Sequence, residues 1–149
     1  MRYEVEIHTK EDVKAALLCA KKVAENAGFS KFEEQQLLVS VSELTHNIIK
    51  HSGSSGRFIC YSNERGIHLE IEDSGKGITD LPRVLKESHP PSSRGLGLGL
   101  RGAKRIMDKF SIMSSPDEGV KIYALKKVKR PLLGALIQLA IVDFSFFLF

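Results

Sequence analysis

Three short segments decide how this chain is read: Glu43-Leu-Thr-His-Asn47, Asp73-Ser-Gly-Lys-Gly77 and Arg94-Gly-Leu-Gly-Leu-Gly-Leu-Arg101. The first lies in a run where Leu37, Leu38, Val41, Leu44, Ile48 and Ile49 keep helical spacing. Glu43 and Asn47 are four residues apart, so a helix projects both from one face, while Leu44 and Ile48 turn to the core. The second segment follows an alternating apolar run, which places Asp73 at the end of a strand just before a glycine turn. In the third, Gly95, Gly97 and Gly99 alternate with Leu96, Leu98 and Leu100 immediately ahead of another helical pattern.

Working outward, Tyr3, Val5 and Ile7 alternate with Glu4 and Glu6, the period of a half-buried strand. Thr9 and Asp12 start a helix that Gly28 ends. Ser30-Lys-Phe-Glu33 reads as a capping box, with Phe29 before it as a staple, and opens the long helix carrying Glu43 and Asn47. Strands are expected over 57–62 and 67–72 around an Asn63-Glu-Arg-Gly66 turn, and a short helix over 80–87. Pro90 and Pro91 exclude regular structure from the loop that follows. A helix over 100–110 and strands over 112–114 and 120–128, joined at Pro116-Asp-Glu-Gly119, complete the pattern. The expected fold is α+β: a two-layer sandwich, with helices on one face of a mixed, mostly antiparallel sheet.

A chain of 149 residues with 27% charged side chains fits one globular domain over residues 1–130, followed by an apolar tail over 131–149. Cys19 and Cys60 are too few for a disulfide framework and sit in apolar runs, as reduced thiols do. Met1-Arg-Tyr-Glu4 alternates like a strand rather than a signal peptide, so a cytoplasmic location is expected. Part of the net charge of +4 comes from Lys126, Lys127, Lys129 and Arg130, and no nucleic-acid motif accompanies it; nucleic-acid binding is not expected.

The chemistry of each segment is suggestive and, taken alone, weak. A helix-borne carboxylate can orient or deprotonate an attacking hydroxyl, and an amide oxygen beside it is a neutral magnesium ligand. For Glu43 and Asn47 the plain alternative is a polar helix face in water. Asp73 can accept from the exocyclic amine of adenine while Gly75 and Gly77 let the backbone approach the ring, although Asp-Ser-Gly turns are common. The glycine loop lets amides converge on phosphate, with Arg94 and Arg101 to neutralise charge, although a hinge would look similar. It is no Walker loop, lacking Gly-Lys-Ser/Thr, and no ribose-binding acid follows as a dinucleotide fold requires. His46 and His51 match no metal-ligand spacing and read as surface or satisfied histidines.

In this order and spacing the segments resemble the GHKL (Bergerat-fold) ATPases: Glu43 and Asn47 as the N box, Asp73-x-Gly75-x-Gly77 as the G1 box and 95–99 as the G2 loop. Residues 3–128 are most similar to the small bacterial anti-sigma factors and switch-protein serine/threonine kinases. The closer match is carried by Ser42-Glu-Leu-Thr-His-Asn-Ile48, Glu72-Asp-Ser-Gly-Lys-Gly-Ile78 and Gly95-Leu-Gly-Leu-Gly-Leu-Arg-Gly-Ala-Lys-Arg-Ile-Met-Asp108. The resemblance implies ATP and magnesium as cofactors, and a STAS-domain protein as the phosphorylated partner. It also implies a phosphatase or sigma factor as a further partner, and leaves a homodimer open. Glu43 would be catalytic. Asn47 would hold the metal, and Asp73, Gly75 and Gly77 the base. Arg94, Gly95, Leu96, Gly97, Leu98, Gly99 and Leu100 would wrap the phosphates. A pure ATP-dependent binding module is the alternative. With no phosphoacceptor-histidine helix and no further domain in view, the small-kinase branch, RsbT-like rather than RsbW-like, is expected.

Pro131-Leu-Leu-Gly-Ala-Leu-Ile-Gln-Leu-Ala-Ile-Val-Asp-Phe-Ser-Phe-Phe-Leu-Phe149 has no counterpart in that family. It follows a basic cluster and is about long enough to cross a bilayer. Asp143 opposes that, since an aspartate at mid-membrane costs about 2.5–3.5 kcal/mol. An extra packed helix, a partner-docking segment or a terminus altered by a frameshift are the other readings.

Overall fold

The computed structural model describes residues 1–51, 53, 55–86 and 99–129, with the backbone alone at 83 and 84. In chain order the elements are β1 (Arg2–Ile7), α1 (Lys10–Asn26), α2 (Lys31–His51), β2 (Gly56–Asn63) and β3 (Gly66–Asp73). They continue with α3 (Leu81–Lys86), α4 (Gly99–Ile106), β4 (Lys109–Ser115) and β5 (Gly119–Lys127). The strands form one sheet in the order β1-β2-β3-β5-β4. Every pairing is antiparallel, so the mixed sheet allowed by the sequence narrows to a wholly antiparallel one among the described residues. Phe58, Cys60, Leu69, Ile71, Ile122 and Ala124 face the helices. There they pack with Val13, Ala20, Leu37, Val41, Leu44 and Ala103 into one core. Burial lifts the Cys60 thiol to about 12, which keeps it protonated.

The caps form where the sequence places them. Ser30 N–H donates to Glu33 Oε2 at 2.9 Å and Glu33 N–H donates to Ser30 Oγ at 3.2 Å, both halves of the capping box. At α1, Asp12 Oδ2 accepts from the backbone of His8 and Thr9 at 2.8 and 2.9 Å. The His8 amide, then the Thr9 amide, hold this carboxyl below the usual carboxylate range.

One boundary differs from expectation. The helix expected over 100–110 ends at Ile106, and Phe110 lies in β4 opposite Ala124. The last helical bond runs from Met107 N–H to Ala103 O. Asp108 then donates to Leu125 O at 2.9 Å and its carboxylate accepts from Lys127 N–H at 2.7 Å, which turns the chain into the sheet. Lys126, counted in the basic cluster, is buried: its Nζ donates to Ile106 O at 2.8 Å, a cation satisfying the C-terminus of α4. The tail over 131–149 lies outside the described residues, and among those described no helix is long and apolar enough to cross a membrane.

Ser30→Ala should cost about 1 kcal/mol in urea unfolding, with an unchanged denaturant slope. Because the folded pKa of Asp12 is depressed, its contribution is present above the unfolded value and is lost as pH falls through the folded one. Asp12→Asn should therefore destabilise at neutral pH, and the gap to wild type should close in acid.

Candidate functional site

Between α2 and the edge of β3 and β5 lies a cavity of about 470 Å³. Leu44, Asn47, Ile48 and His51 reach it from α2, Ile71 and Asp73 from β3, Gly99 and Leu100 from α4, and Val120 and Ile122 from β5. The loop after β3 closes it with Lys76, Gly77, Ile78 and Thr79. Most of the lining is apolar, with a few polar groups, Asn47, Asp73, Lys76 and Thr79 among them, the usual make-up of a small-molecule site.

Asp73 anchors this wall. Its Oδ1 accepts from Gly75 N–H at 3.0 Å and from Val120 N–H at 3.3 Å, while Oδ2 accepts from none of the described residues. A Cβ on Gly119 would sit 2.0 Å from the Asp73 carbonyl oxygen, so only glycine lets β5 start this close to the end of β3. The loop is then clamped to the β4–β5 hairpin. Ile78 N–H donates to Ser114 Oγ at 2.6 Å, and Asp117 N–H donates to Lys76 O at 3.1 Å. Gly77 has φ +78°, and its Cβ would lie 2.4 Å from the Ser115 carbonyl oxygen.

On α2, Asn47 Nδ2 is buried and has no hydrogen-bond partner among the described residues. A buried donor left unpaired costs about 1–3 kcal/mol, so the fold carries this amide at a penalty. The amide is two-fold at its terminal torsion and can present oxygen or nitrogen to a ligand. Glu43 does not line the cavity; its Oε2 accepts from Gly99 N–H at 3.1 Å. Gly99 opens α4, where the helix dipole favours negative charge, and the carboxylate lies at that position.

Of the residues singled out in the sequence, Asn47, Asp73, Gly77, Gly99 and Leu100 meet at the cavity. Gly75 is not in its lining: it is buried, and its amide is spent on Asp73. Arg94, Gly95, Leu96, Gly97 and Leu98 lie outside the described residues. Arg101 is tied back to α3, donating to Lys86 O at 3.1 Å. His46 is satisfied by Ser42 O at 2.7 Å, whereas His51 is exposed and also lines the cavity. Leu44 and Ile48 lie in the core as expected and also line the cavity beside Asn47. Sequence reasoning missed Lys76, Ile78, Thr79, Val120 and Ile122. The alternation of β5 could have marked Val120 and Ile122 as inward; nothing in the sequence marks Lys76 or Thr79.

The site's chemistry fits a magnesium nucleotide. Among the described residues no cluster of three or more His, Cys, Asp or Glu could hold a metal. A cation here would instead be shared between one protein oxygen and the phosphates it accompanies, the usual habit of magnesium. Asn47, which lines the cavity, carries an amide oxygen that could supply it.

Comparison with known proteins gives the same outline. The sequence pattern of the histidine kinase-like ATPase domain matches residues 8–126. The serine/threonine-protein kinase RsbT of Bacillus subtilis (strain 168) is 34% identical over 125 residues, covering 82% of this chain and 93% of that protein. The anti-sigma F factor of Bacillus licheniformis is 31% identical over 105 residues, 66% of this chain and 72% of its own. The sensor histidine kinase YcbM of Bacillus subtilis (strain 168) is 33% identical over 105 residues, 60% of this chain and 33% of its own.

Two substitutions separate ligand-directed from structural roles. Asn47→Leu should stabilise the ligand-free protein by about 1 kcal/mol, because it removes an unpaired buried amide; a loss of stability would make Asn47 structural. Gly77→Ala should destabilise by at least about 1–3 kcal/mol, through the positive φ and the clash of the new Cβ with the Ser115 carbonyl, read from the shift in the unfolding midpoint.

Proposed function

The chain belongs to the histidine kinase-like ATPase domain family, and from that premise we propose that it is an ATP-dependent serine/threonine protein kinase acting on a STAS-domain partner. It works as the switch of a bacterial partner-switching pathway in the cytoplasm. The observation that carries this reading is the convergence of Asn47, Asp73, Gly77 and Gly99 on one cavity, with the Glu43 carboxylate bonded to the Gly99 amide beside it.

In this reading Asp73 recognises the base. Two backbone amides fix its Oδ1, so Oδ2 is the oxygen that accepts from the exocyclic amine of adenine. Ile71, Ile78, Val120 and Ile122 supply apolar walls for the ring. Asn47 holds the magnesium ion, which when bound neutralises charge on the phosphates. The positive end of α4, with the 94–98 segment, faces the phosphate oxygens, while the Gly99 amide holds the Glu43 carboxylate beside them. Glu43 orients the acceptor hydroxyl and takes its proton. Phosphoryl transfer needs mainly positioning and charge stabilisation, and a general base adds about 10²–10⁴-fold.

A second reading has support of its own. The similarity to an anti-sigma F factor favours a protein that holds a sigma factor as well as its antagonist. A phosphatase released or bound by the switch, and a homodimer, are further elements of the proposed pathway.

Transfer of labelled phosphate from ATP to a cognate STAS protein tests the kinase. Glu43→Gln should cut the transfer rate at least ~100-fold and leave ATP affinity within ~threefold, as for a group acting only in the transition state. Wild-type protein that binds ATP but transfers nothing would be a binding module. Co-purification of a sigma factor would select the second reading.

A further inference from the structure

Helix α4 has one side in the core and one side towards water. Leu100, Ala103 and Met107, at its start, middle and end, belong to the core. Arg101, Lys104 and Arg105 are three and four residues apart, so at about 100° per residue they share the opposite side, within an arc of about 100°. Lys104 and Arg105 are exposed. Arg101 lays its guanidinium on the end of α3, donating to Lys86 O at 3.1 Å, and Lys86 is exposed as well. The junction of α3 and α4 is therefore a basic stripe.

No acid balances it. Elsewhere, Lys14, Lys21 and Lys31 each have a carboxylate one turn along their own helix, at 3.0, 3.9 and 3.6 Å. Helix α4 contains no acidic residue, and among the described residues Lys86, Arg101, Lys104 and Arg105 have no ion-pair partner. Asp108, next along the stripe, accepts from Lys127 N–H at 2.7 Å. Like charges at this helical spacing repel one another. Two internal uses fail to account for them. Cations favour a helix C-terminus, but there the Ile106 carbonyl already accepts from the buried Lys126 Nζ at 2.8 Å. Cations also favour nucleotide phosphates, but none of the four lines the cavity.

We propose that this stripe receives an acidic surface of the protein whose hydroxyl takes the phosphate, an inference that rests on the kinase reading. Its place in the fold selects that partner. Gly99, the first residue of α4, holds the Glu43 carboxylate at 3.1 Å, and the acceptor hydroxyl has to come to that carboxylate. Arg105 lies six residues further on, about 9 Å along the helix axis. A docked protein of ordinary interface size covers about 800 Å² of its partner, a disc about 16 Å in radius. Such a disc centred on the contact of Glu43 with Gly99 takes in the whole of α4.

Other anionic partners lack a second foothold here. The stripe carries no aromatic side chain on which a base could stack. It offers no apolar side chain to a bilayer either, since Leu100, Ala103 and Met107 are turned into the core. An acidic protein surface needs only what the stripe has. The guanidinium of Arg105 can take a carboxylate in a two-pronged bond, and Lys104 adds a point charge beside it. Long-range attraction between the two surfaces speeds encounter and rejects partners that are basic at this place. The stripe thus selects and orients the protein substrate, while Glu43 and the nucleotide site carry out the transfer.

Transfer assays and titration calorimetry with the cognate STAS protein separate docking from chemistry. Lys104→Glu combined with Arg105→Glu should raise both KM for the STAS protein and the Kd of the complex at least ~tenfold. The kcat at saturation and the affinity for ATP should stay within ~twofold, as for residues that bind the partner away from the reacting atoms. Lys104→Arg combined with Arg105→Lys keeps both charges and should stay within ~threefold of wild type. A zero-length carbodiimide should couple the Lys104 amine to Asp or Glu side chains of the STAS protein. Unchanged KM and Kd in the reversed variant, with transfer intact, overturn the docking surface and leave the kinase standing. Binding that depends on these charges but leads to no transfer supports the surface and removes the kinase. Wild-type protein that does not bind the STAS protein overturns both. A charge-conserving variant as impaired as the reversed one, or no carbodiimide coupling at Lys104, overturns the surface. So does a reversed variant that loses binding to phosphatidylglycerol vesicles or to a single-stranded oligonucleotide while its hold on the STAS protein is unchanged.

Discussion

One carboxylate oxygen holds the end of the sheet where the cavity opens. Asp73 Oδ1 takes two backbone amides, one from its own loop and one from the first residues of β5, so the turn after β3 and the start of β5 cannot move apart. The clamp made by Ser114, Ser115 and Asp117 on the loop continues this constraint to Ile78. The cavity wall is therefore built from backbone hydrogen bonds and glycine contacts and does not need a ligand to exist. The same arrangement leaves Asp73 Oδ2 without a described partner, so one side chain organises the wall and retains a polar atom for recognition.

The opposite wall is α2, and there the requirement is different. A helix presents its apolar stripe and its neighbouring polar positions about 100° apart, so Leu44 and Ile48 can floor the cavity while Asn47 stands at its side. The buried Asn47 Nδ2, unpaired among the described residues, costs stability in a helix where Thr45 and His46 are bonded to carbonyls a turn earlier. Such a cost at a cavity wall is what a preorganised ligand group looks like. Glu43, one turn before Asn47, meets the N-terminus of α4 instead and ties the two helices together.

Periodicity in the sequence made most of this legible. The capping box at Ser30, the alternation of β1 and the turn at Asn63 are local signals, and each formed as read. The glycine and acidic positions were legible as a set because their order matched a known pattern, whereas their division of labour was not. Gly75 and Gly77 read alike in sequence, yet one serves Asp73 and the other avoids the Ser115 carbonyl. That difference depends on which hairpin packs against the loop, a tertiary fact. The end of α4 was misread for a similar reason: Phe110 fits both a helical face and a strand, and the bonds of Asp108 to β5 decide between them. The buried Lys126 shows the same limit, since a lysine in a basic run looks solvated until a helix C-terminus is placed over it.

Nucleotide selectivity tests the central claim most directly, because it depends on the direction of one hydrogen bond. Adenine offers a donor where guanine offers an acceptor, and a carboxylate accepts only. Titration calorimetry with magnesium ATP and GTP should show wild type preferring ATP by at least tenfold, on the order of the cost of one mispaired buried polar contact, and Asp73→Asn losing that preference. Equal affinity of the wild type for both nucleotides, or an Asp73→Asn variant that still selects ATP, would contradict the placement of the base at Asp73.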